Sequence, residues 1–494
     1  MSACKALGFI GRRIAVLGLL VVLSAGLSVP ASGAAKTKVR LWDFHIHDKK
    51  YRTKAVKEFN KKNPDIEIEY TSQVNSVYPT VLQATWATGD PPDLFNPNMS
   101  IETAIKLGWV IPIDDVAPSA AALKAWVARF PEGQAPFVEG VNMFKGKIYS
   151  WPVNAPGAYM VLYYNKNLFR EAGIVDARGI AKPPEDWAEL REYARKITAK
   201  GNGRYYGIVR GVKNGDLAAS MTWTLATAAG WVDFFNMGFN RQRGKFDMHT
   251  GVKETIELWL AMKKDGSIFP GEFTMDEETA RRYFANEKAG MLFDGWWTTG
   301  GLLAYNPKFS EFDVILPPPP ERGSRKAFLG AGSLAGSSEY VVSSKVKNKA
   351  AVWKVIQFLT SEEYQVGWVK AAGGFSVFPE YNKPEYFGHP TMAKIALLGP
   401  ASYRMLPPLP EGWQTVADHL AREMGRPDLV DLIWGIYLEK LPFSALADYE
   451  RRATAAFDRA LAKARAEGVN LTKADFVFPD WDPAKNYDPQ GKKK

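Results

Sequence analysis

The chain of 494 residues carries 63 Lys and Arg against 53 Asp and Glu, a formal charge of +10, and 46% of its residues are apolar. This composition supplies enough apolar surface for two α/β domains with real cores. The basic residues are spread along the chain and form no block interleaved with aromatic residues, so the sequence gives little support to nucleic-acid binding.

Residues 1–35 have the pattern of a secretory signal peptide. Three basic residues precede an apolar run at 14–23, and small residues follow it. The run is about ten residues long, too short for a helix that must span a bilayer with about 20. Cys4 is the one cysteine of the chain, so disulfides and thiol chemistry are not expected beyond the signal. We predict export to the periplasm, with a retained membrane anchor as the alternative.

The next residues alternate between short strands and helices. The predicted strands are 38–42, 66–70 and 93–96, and the predicted helices are 51–62 and 77–87. A β-α-β-α-β order predicts a parallel sheet. Ligands of such sheets bind beyond the carboxyl ends of the strands. Those ends carry Trp42, Asp43, Asn96 and Asn98.

A crossing between two lobes is predicted near residue 154. An apolar run at 148–153, interrupted by Pro152, is followed by a second run at 159–164, and Pro152 and Pro156 allow no regular pairing between the runs. The pattern indicates that one strand ends in one lobe and a new strand begins in another. A cleft between two lobes is a common place for a ligand.

The second half continues the alternation of strands and helices. Predicted helices are 187–200, 221–229, 252–264 and 278–284, and predicted strands are 205–209, 289–293 and 314–316. The strand at 289–293 leads to Asp294, Trp296 and Trp297. A glycine-rich segment at 328–333 predicts the return crossing, and 334–370 would complete the first lobe. Helices follow at 413–424, 429–438 and 445–465, and the segment after Gly468 either packs across a lobe or hangs free.

Several segments in register resemble family 1 extracellular solute-binding proteins, the sugar-binding components of ABC importers. These segments are FNKKNPDIEIEY, ATWATGDPPDLF, GWVIPIDD, IYSWPVN, VLYYNKNLFREAGI, FANEKAGMLFDGWW and KVKNKAAVWKVIQFLTSEEYQ. They cover most of residues 38–375. The resemblance implies an α/β fold of two lobes, each a mostly parallel sheet flanked by helices, with the ligand cleft between them.

The resemblance also implies a division of the chain and a function. The first lobe would comprise 36–153 and 331–372, the second lobe 154–330 and 373–467, and a C-terminal tail 468–494. The implied protein is a periplasmic monomer, not an enzyme and without a cofactor. It would capture a carbohydrate or polyol and deliver it to the membrane subunits of an ABC importer.

The candidate site residues follow from the chemistry of a sugar. A pyranose has apolar C–H faces, which aromatic rings cover, and a rim of hydroxyls, which carboxylates, amides and imidazoles bind. The candidates are Trp42, Asp43, His45, Asn96, Asn98, Trp151, Asn154, Trp231, Asp294, Trp296, Trp297, Gly332 and Trp413. The competing interpretation is core packing for each tryptophan and helix capping for Asp43 and Asp294.

Two other functions compete with this one. Asp43, His45 and His47 follow the first strand as in zinc-dependent amidohydrolases, and alternation would point both imidazoles to one side. That alternative requires an eightfold β/α barrel, which the proline-broken crossing contradicts. A binding protein for a charged polyol such as a glycerol phosphate would need a basic cluster in the cleft, for which Lys49, Lys50 and Arg404 are weak candidates.

Overall fold

The computed structural model describes residues 36–155, 160–213, 215–232, 237–331 and 334–487. The predicted signal at 1–35 and the candidate Gly332 lie outside the described residues. The strands are β1 (Thr37–Asp43), β2 (Ile66–Ser72), β3 (Leu94–Phe95), β4 (Val110–Ile111), β5 (Met143–Phe144), β6 (Lys147–Ile148), β7 (Ser150–Pro152), β8 (Met160–Asn165), β9 (Tyr206–Val209), β10 (Phe239–Asn240), β11 (Lys245–Phe246), β12 (Ala289–Gly295), β13 (Phe312–Ile315), β14 (Leu329–Ala331), β15 (Ser338–Ser343) and β16 (Tyr403–Met405).

The helices surround two main sheets. They are α1 (Lys49–Lys62), α2 (Tyr78–Ala87), α3 (Ile101–Lys106), α4 (Ala120–Val127), α5 (Lys166–Glu171), α6 (Trp187–Gly201), α7 (Gly215–Ala228), α8 (Glu254–Lys264), α9 (Glu277–Ala285), α10 (Thr298–Tyr305), α11 (Lys349–Leu359), α12 (Glu362–Lys370), α13 (Pro390–Ser402), α14 (Trp413–Met424), α15 (Leu429–Tyr437) and α16 (Ala445–Ala466). None of the helices in the described ranges combines the length and the hydropathy that crossing a bilayer requires.

The first sheet has the strand order β2-β1-β3-β15-β4, with β7 paired to β15. Strand β1 is parallel to β2 and β3, as predicted, whereas β15 is antiparallel to β3, β4 and β7. Alternate residues of β1, Val39 and Leu41, are buried in the core with Ile66 and Ile68 of β2. We call the residues packed around this sheet the first lobe.

The second sheet has the order β13-β8-β12-β9, and the residues around it form the second lobe. Within it, β9 and β12 are parallel, and β8 is antiparallel to both β12 and β13. The α/β class is confirmed, but the sheets are mixed and not mostly parallel. The reason is that β8 and β15 enter their sheets from the crossing, at the edge where the parallel strands end, so they must run in the opposite direction.

The strand order shows how the chain passes between the two sheets. Strand β7 belongs to the first sheet and β8 to the second, and the chain returns between β13 and β15. Before that return, β14 pairs with β16 in a separate small sheet. The residue-by-residue lobe boundaries stay a prediction.

Local sequence signals set the helix boundaries. Helix α6 follows two prolines and is capped by Asp186, whose side chain accepts a hydrogen bond from the Glu189 amide at 2.8 Å. Its last residue, Gly201, is followed by the cap residue Asn202, which adopts a left-handed conformation with φ of 45°. Helix α7 begins six residues before the predicted start, and α10 has no predicted counterpart.

The segment after Gly468 packs on the second lobe as far as residue 487. Phe476 is fully buried with the residues of α14, α15 and α16, and Trp481 is buried against Val232 and Ala327. The Phe478 amide donates to the carbonyl oxygen of Arg241 at 2.7 Å. Of the two alternatives for this tail, packing is therefore confirmed over the described residues.

Candidate functional site

The carboxyl ends of β1 and β12 meet where the two lobes touch. The loop after β1 lies against α10, which follows β12, and a Cβ placed on Gly301 would lie 3.6 Å from the Cβ of His47. Beside this contact, Trp368 Nε1 donates to Asp48 Oδ2 at 2.7 Å. The Trp368 ring packs in one cluster with Trp296 from the end of β12. Two sets of strand-end residues therefore face a common junction.

Asp43 is a buried acceptor at the end of β1. Its carboxylate accepts hydrogen bonds from Tyr340 Oη at 2.7 Å, Tyr70 Oη at 3.0 Å and the His45 amide at 3.1 Å. The Arg52 guanidinium lies 3.5 Å away. These contacts hold the end of β1 against its neighbours, so the observed task of Asp43 is structural and a ligand contact stays a prediction.

His45 and Asn154 both contact Glu339, which is not among the site residues predicted from the sequence. Asn154 Nδ2 donates to Glu339 Oε1 at 3.0 Å, and His45 Nε2 lies 2.9 Å from Glu339 Oε2. The second contact has the length of an ion pair, and both of its atoms are buried. Burial by itself would lower the pKa of His45, but the Glu339 carboxylate raises it. The sequence does contain a signal for this residue, because Glu339 is the one charged residue of the otherwise uncharged segment 328–343.

Asn154 also marks the meeting of three passes of the chain. It bridges to Ser376, and its carbonyl oxygen accepts from Ser337 Oγ at 2.6 Å. The neighbouring Ala155 amide donates to the Phe375 carbonyl oxygen at 2.8 Å. Residues near 154, 337 and 376 therefore form one bonded junction at the edge of the first lobe.

The remaining first-lobe candidates lie at the open ends of β1 and β3. Asn96 is buried, and its Oδ1 accepts from the Asn98 amide at 2.9 Å. Asn98 is exposed, and its Nδ2 donates to Asn75 Oδ1 at 2.9 Å. Trp42 is half-buried beside Tyr78. Asn98 and Trp42 combine a strand-end position with surface that a ligand can reach.

The second-lobe candidates differ in how they are held. Asp294 is buried and accepts from Arg281 Nε at 2.7 Å and Nη2 at 2.9 Å. Trp296 is 8% exposed and its ring centroid lies 5.6 Å from that of Phe375. Trp297 is half-buried and covers Gly295 so closely that a Cβ there would lie 2.2 Å from the indole. Asp294 thus fixes the end of β12, and the two tryptophans carry the aromatic surface.

Three tryptophan candidates lie in cores. Trp151 is fully buried in the first lobe, 6.1 Å from the ring centroid of Trp126. Trp231 is 2% exposed and its Nε1 donates to the Asp247 carbonyl oxygen at 2.9 Å. Trp413 packs, partly buried, on the helical core of α14 to α16. This burial favours the core-packing interpretation, and their contact with a ligand stays a prediction.

The two imidazoles after β1 do not form a metal site. The rings of His45 and His47 are 5.5 Å apart at 84° to each other. His45 is directed to Glu339, whereas the nearest carboxylate to His47 is Asp48 at 3.9 Å. Over the described part of the chain, no group of three His, Cys, Asp or Glu could hold a metal ion. Since the fold is two separate mixed sheets and not a barrel, the zinc-hydrolase alternative finds no support.

Comparison with known proteins agrees with this architecture. The model of the family described as bacterial extracellular solute-binding protein matches residues 45–366. A Brucella abortus protein named only as a binding protein is 25% identical over 425 residues, covering 84% of this chain and 95% of its own. The multiple sugar-binding protein of Streptococcus mutans is 26% identical over 363 residues, covering 71% and 79%.

A solved structure supports the fold. The solute-binding protein of an ABC transporter from Thermotoga lettingae, bound with α-D-tagatose, aligns with a TM-score of 0.63 at 20% identity. The alignment covers 87% of this chain and 100% of that chain. At this identity the likeness concerns the fold alone.

Proposed function

The chain belongs to the bacterial extracellular solute-binding protein family, and from this premise we propose that it binds a carbohydrate or polyol between its lobes for an ABC-type importer. One observation carries the proposal. The carboxyl ends of β1 and β12 face each other at the lobe junction, where aromatic rings, amides and an imidazole–carboxylate pair come together. This is the combination of groups that a sugar requires.

The proposed contacts divide between the lobes. In the first lobe, Trp42 would cover an apolar sugar face and Asn98 would bind hydroxyls. In the second lobe, Trp296 and Trp297 would cover the opposite face. Asp43 and Asp294 would act indirectly, because their oxygens are already engaged by protein donors.

Delivery of the ligand to the importer would depend on closure of the two lobes around it. Ligand contacts made with both lobes favour the closed arrangement, since a ligand shifts the equilibrium towards the state it binds better. The membrane subunits of the importer would then recognise closed lobes. Export to the periplasm after removal of residues 1–35, a monomeric state and the absence of turnover belong to the same proposal.

A binding screen tests the proposal. Thermal melting and calorimetry would compare α-D-tagatose, maltotriose, raffinose and sn-glycerol 3-phosphate. A ligand at 100 times its Kd stabilises the folded state by about 2.7 kcal/mol, which raises the melting midpoint. Trp42→Ala should weaken binding at least about fivefold, since a lost aromatic contact costs about 1 kcal/mol beyond its burial and tenfold corresponds to about 1.4 kcal/mol.

Trp86→Ala is the matched control. Trp86 is half-buried like Trp42 and stacks on Trp109 at 4.8 Å on the same lobe, but it belongs to α2 and not to a strand end. It should lower stability and leave affinity unchanged. Binding of the phosphate ester alone would contradict the carbohydrate proposal, as would equal loss of affinity in both variants.

A further inference from the structure

Helix α1 carries a strongly one-sided charge. It holds six lysines and one arginine against one acidic residue, Glu58. The helical period brings four of the lysines onto one face, because they follow each other at intervals of four, three and four residues. We call this row of lysines, about 16 Å long at about 1.5 Å per residue, the lysine stripe. Its members are Lys50, Lys54, Lys57 and Lys61.

The lysine stripe lies on the side of α1 that faces away from the core. All four lysines are exposed, whereas Arg52, Val56 and Phe59 are buried on the side that packs on the first sheet. Lys61 lies 2.7 Å from Glu58, and the other three lysines have no ion-pair partner within the part of the chain that the structure describes. The core therefore requires only the opposite side of the helix, and most of the positive charge of the stripe is not compensated by an ion pair.

A second group of lysines lies at the start of α11. Three exposed lysines without an ion-pair partner among the described residues precede or begin this helix, and they are Lys345, Lys347 and Lys349. Helix α11 packs beside α1, since the ring centroids of Phe358 and Phe59 lie 4.7 Å apart in one core. Both groups of lysines therefore belong to the same side of the first sheet.

The acidic residues near these two helices do not cancel their charge. Asp65 lies 3.6 Å from Lys354, and Glu363 lies 2.6 Å from Lys62, so each is already beside a further lysine. The acidic residues of β2 alternate with its buried isoleucines, which pack in the core with α1, and so point to the opposite face of the sheet. The outer side of α1 and α11 therefore carries an excess of positive charge.

The chemistry of this surface favours a lipid bilayer over a protein as its partner. Protein–protein interfaces are enriched in aromatic residues and depleted in lysine. None of the large apolar side chains that are exposed in the described ranges belongs to α1 or α11. A row of flexible ammonium groups instead suits a flat surface of phosphate groups, and clusters of about four to eight basic residues are typical of proteins that bind anionic lipids.

We propose that the lysine stripe, together with the three lysines at the start of α11, docks the first lobe on an anionic phospholipid bilayer. The inference rests on the proposed function, which places the chain beside the membrane that holds the importer. The contact is electrostatic and reversible, because the apolar side of α1 stays in the core and does not enter the bilayer. Since the stripe faces away from the sheet, docking leaves the proposed ligand site at the strand ends uncovered.

Vesicle binding tests the proposal. The chain without its predicted signal would be mixed with vesicles of phosphatidylcholine alone or of equal parts phosphatidylcholine and phosphatidylglycerol, and the bound fraction would be measured by cosedimentation. We expect binding to the anionic vesicles only, in about 10 mM salt, where charges act over about 30 Å. About 150 mM salt shortens this range to about 8 Å and should weaken the binding about tenfold.

The central variant combines Lys54→Gln, Lys57→Gln and Lys61→Gln. Each lysine near an anionic surface contributes about fivefold in affinity, so the triple variant should bind the anionic vesicles about 100-fold more weakly. Because the three positions are exposed on a helix, the melting midpoint and the sugar affinity should stay unchanged.

The matched control combines Arg195→Gln, Lys200→Gln and Lys264→Gln. These exposed residues of α6 and α8 in the second lobe also have no ion-pair partner in the described ranges, and their replacement removes the same amount of charge. Vesicle binding should fall by less than about threefold in the control, since these charges lie outside the docking surface.

The outcomes separate this inference from the proposed function. Equal losses in the two triple variants would show that net charge alone attracts the chain, and would overturn the inference, as would equal binding to neutral vesicles or no binding to anionic ones. Binding to immobilised polyglutamate without binding to vesicles would assign the surface to an acidic protein and also overturn it. Lysine-dependent vesicle binding in a chain that binds no sugar would support the docking surface and overturn the proposed function alone.

Discussion

The guanidinium of Arg281 donates two hydrogen bonds to the carboxylate of Asp294, Nε to Oδ2 at 2.7 Å and Nη2 to Oδ1 at 2.9 Å. Both residues are buried, and Arg281 also pairs with Glu278. The pair joins α9 to the end of β12, next to the tryptophans of the proposed site. Asp294 was predicted to bind ligand hydroxyls, but both of its carboxylate oxygens already accept hydrogen bonds from Arg281.

Removing one partner of this pair should lower the free energy of unfolding more than removing both partners does. Asp294→Ala leaves the Arg281 charge buried without its main partner, and we expect a loss of about 3–5 kcal/mol in the free energy of unfolding. The double variant Asp294→Leu and Arg281→Met should lose less, because it leaves no buried guanidinium without a carboxylate, and Glu278 keeps the hydrogen bond from Tyr305 Oη. Urea unfolding of the single and double variants measures both values, and a larger loss in the double variant would contradict the assignment.

The contact between β9 and α6 leaves no room at Gly207. A Cβ on this residue would lie 2.2 Å from the backbone oxygen of Ala194, and backbone cannot swing aside as a side chain can. Gly207→Ala should therefore lower the free energy of unfolding by about 3 kcal/mol. Gly133→Ala is the control, since nothing lies within 4 Å of its Cβ. Similar melting midpoints for the two variants would contradict the prediction, because they would show that the backbone of α6 or β9 shifts to accommodate the methyl group at little cost.

The packed tail should contribute to stability. Phe476 is fully buried, 5.5 Å from the ring centroid of Phe457, so Phe476→Ala should cost about 3–5 kcal/mol. Leu397→Ala should cost less than about 0.5 kcal/mol, because Leu397 is 77% exposed. Hydrogen exchange at the Phe478 amide reports the same change locally. Unaltered exchange in Phe476→Ala would mean that the tail is held by other contacts.

Burial of His47 should make the protein less stable in acid. Removal from water is the main reason that the pKa of this imidazole falls from 6.5 to about 4, although Asp48 opposes the shift. Between these values the unfolded chain binds a proton that the folded chain does not, so stability falls as pH drops below 6.5 and levels off near pH 4. The shift corresponds to about 3 kcal/mol at 1.36 kcal/mol per pKa unit.

The comparison of His47→Gln with a surface control measures this contribution. His47→Gln should flatten the dependence of the free energy of unfolding on pH between 6.5 and 4. His249→Gln, at an exposed position of the second lobe, should leave the dependence unchanged. If the free energy of unfolding depends on pH in the same way in His47→Gln and in the wild-type chain, His47 is not the cause of the lower stability in acid.

Local pattern was enough to predict most elements. The predicted strand at 289–293 is β12, and the predicted helix at 187–200 is α6, because a short continuous apolar run and a 3.6-residue periodicity are both set by a few neighbouring residues. The crossing after Pro152 was also predictable, since proline lacks the amide hydrogen that a continuing strand needs, and Pro152 is the last residue of β7. Helix α10 was missed because its two glycines and two threonines give no helical signal, and packing against the first-lobe loop supports it.

The sequence by itself determined the α/β class, the family and the order of many of the strands and helices. Only the tertiary structure decided which candidates are free to meet a ligand. Trp42 and Trp151 look alike as strand residues, yet one is half-buried at a strand end and the other fully buried. The contact of Glu339 with His45 joins residues that are 294 positions apart in the chain. The physical reason is that burial and charge pairing depend on neighbours in space, which local periodicity does not specify.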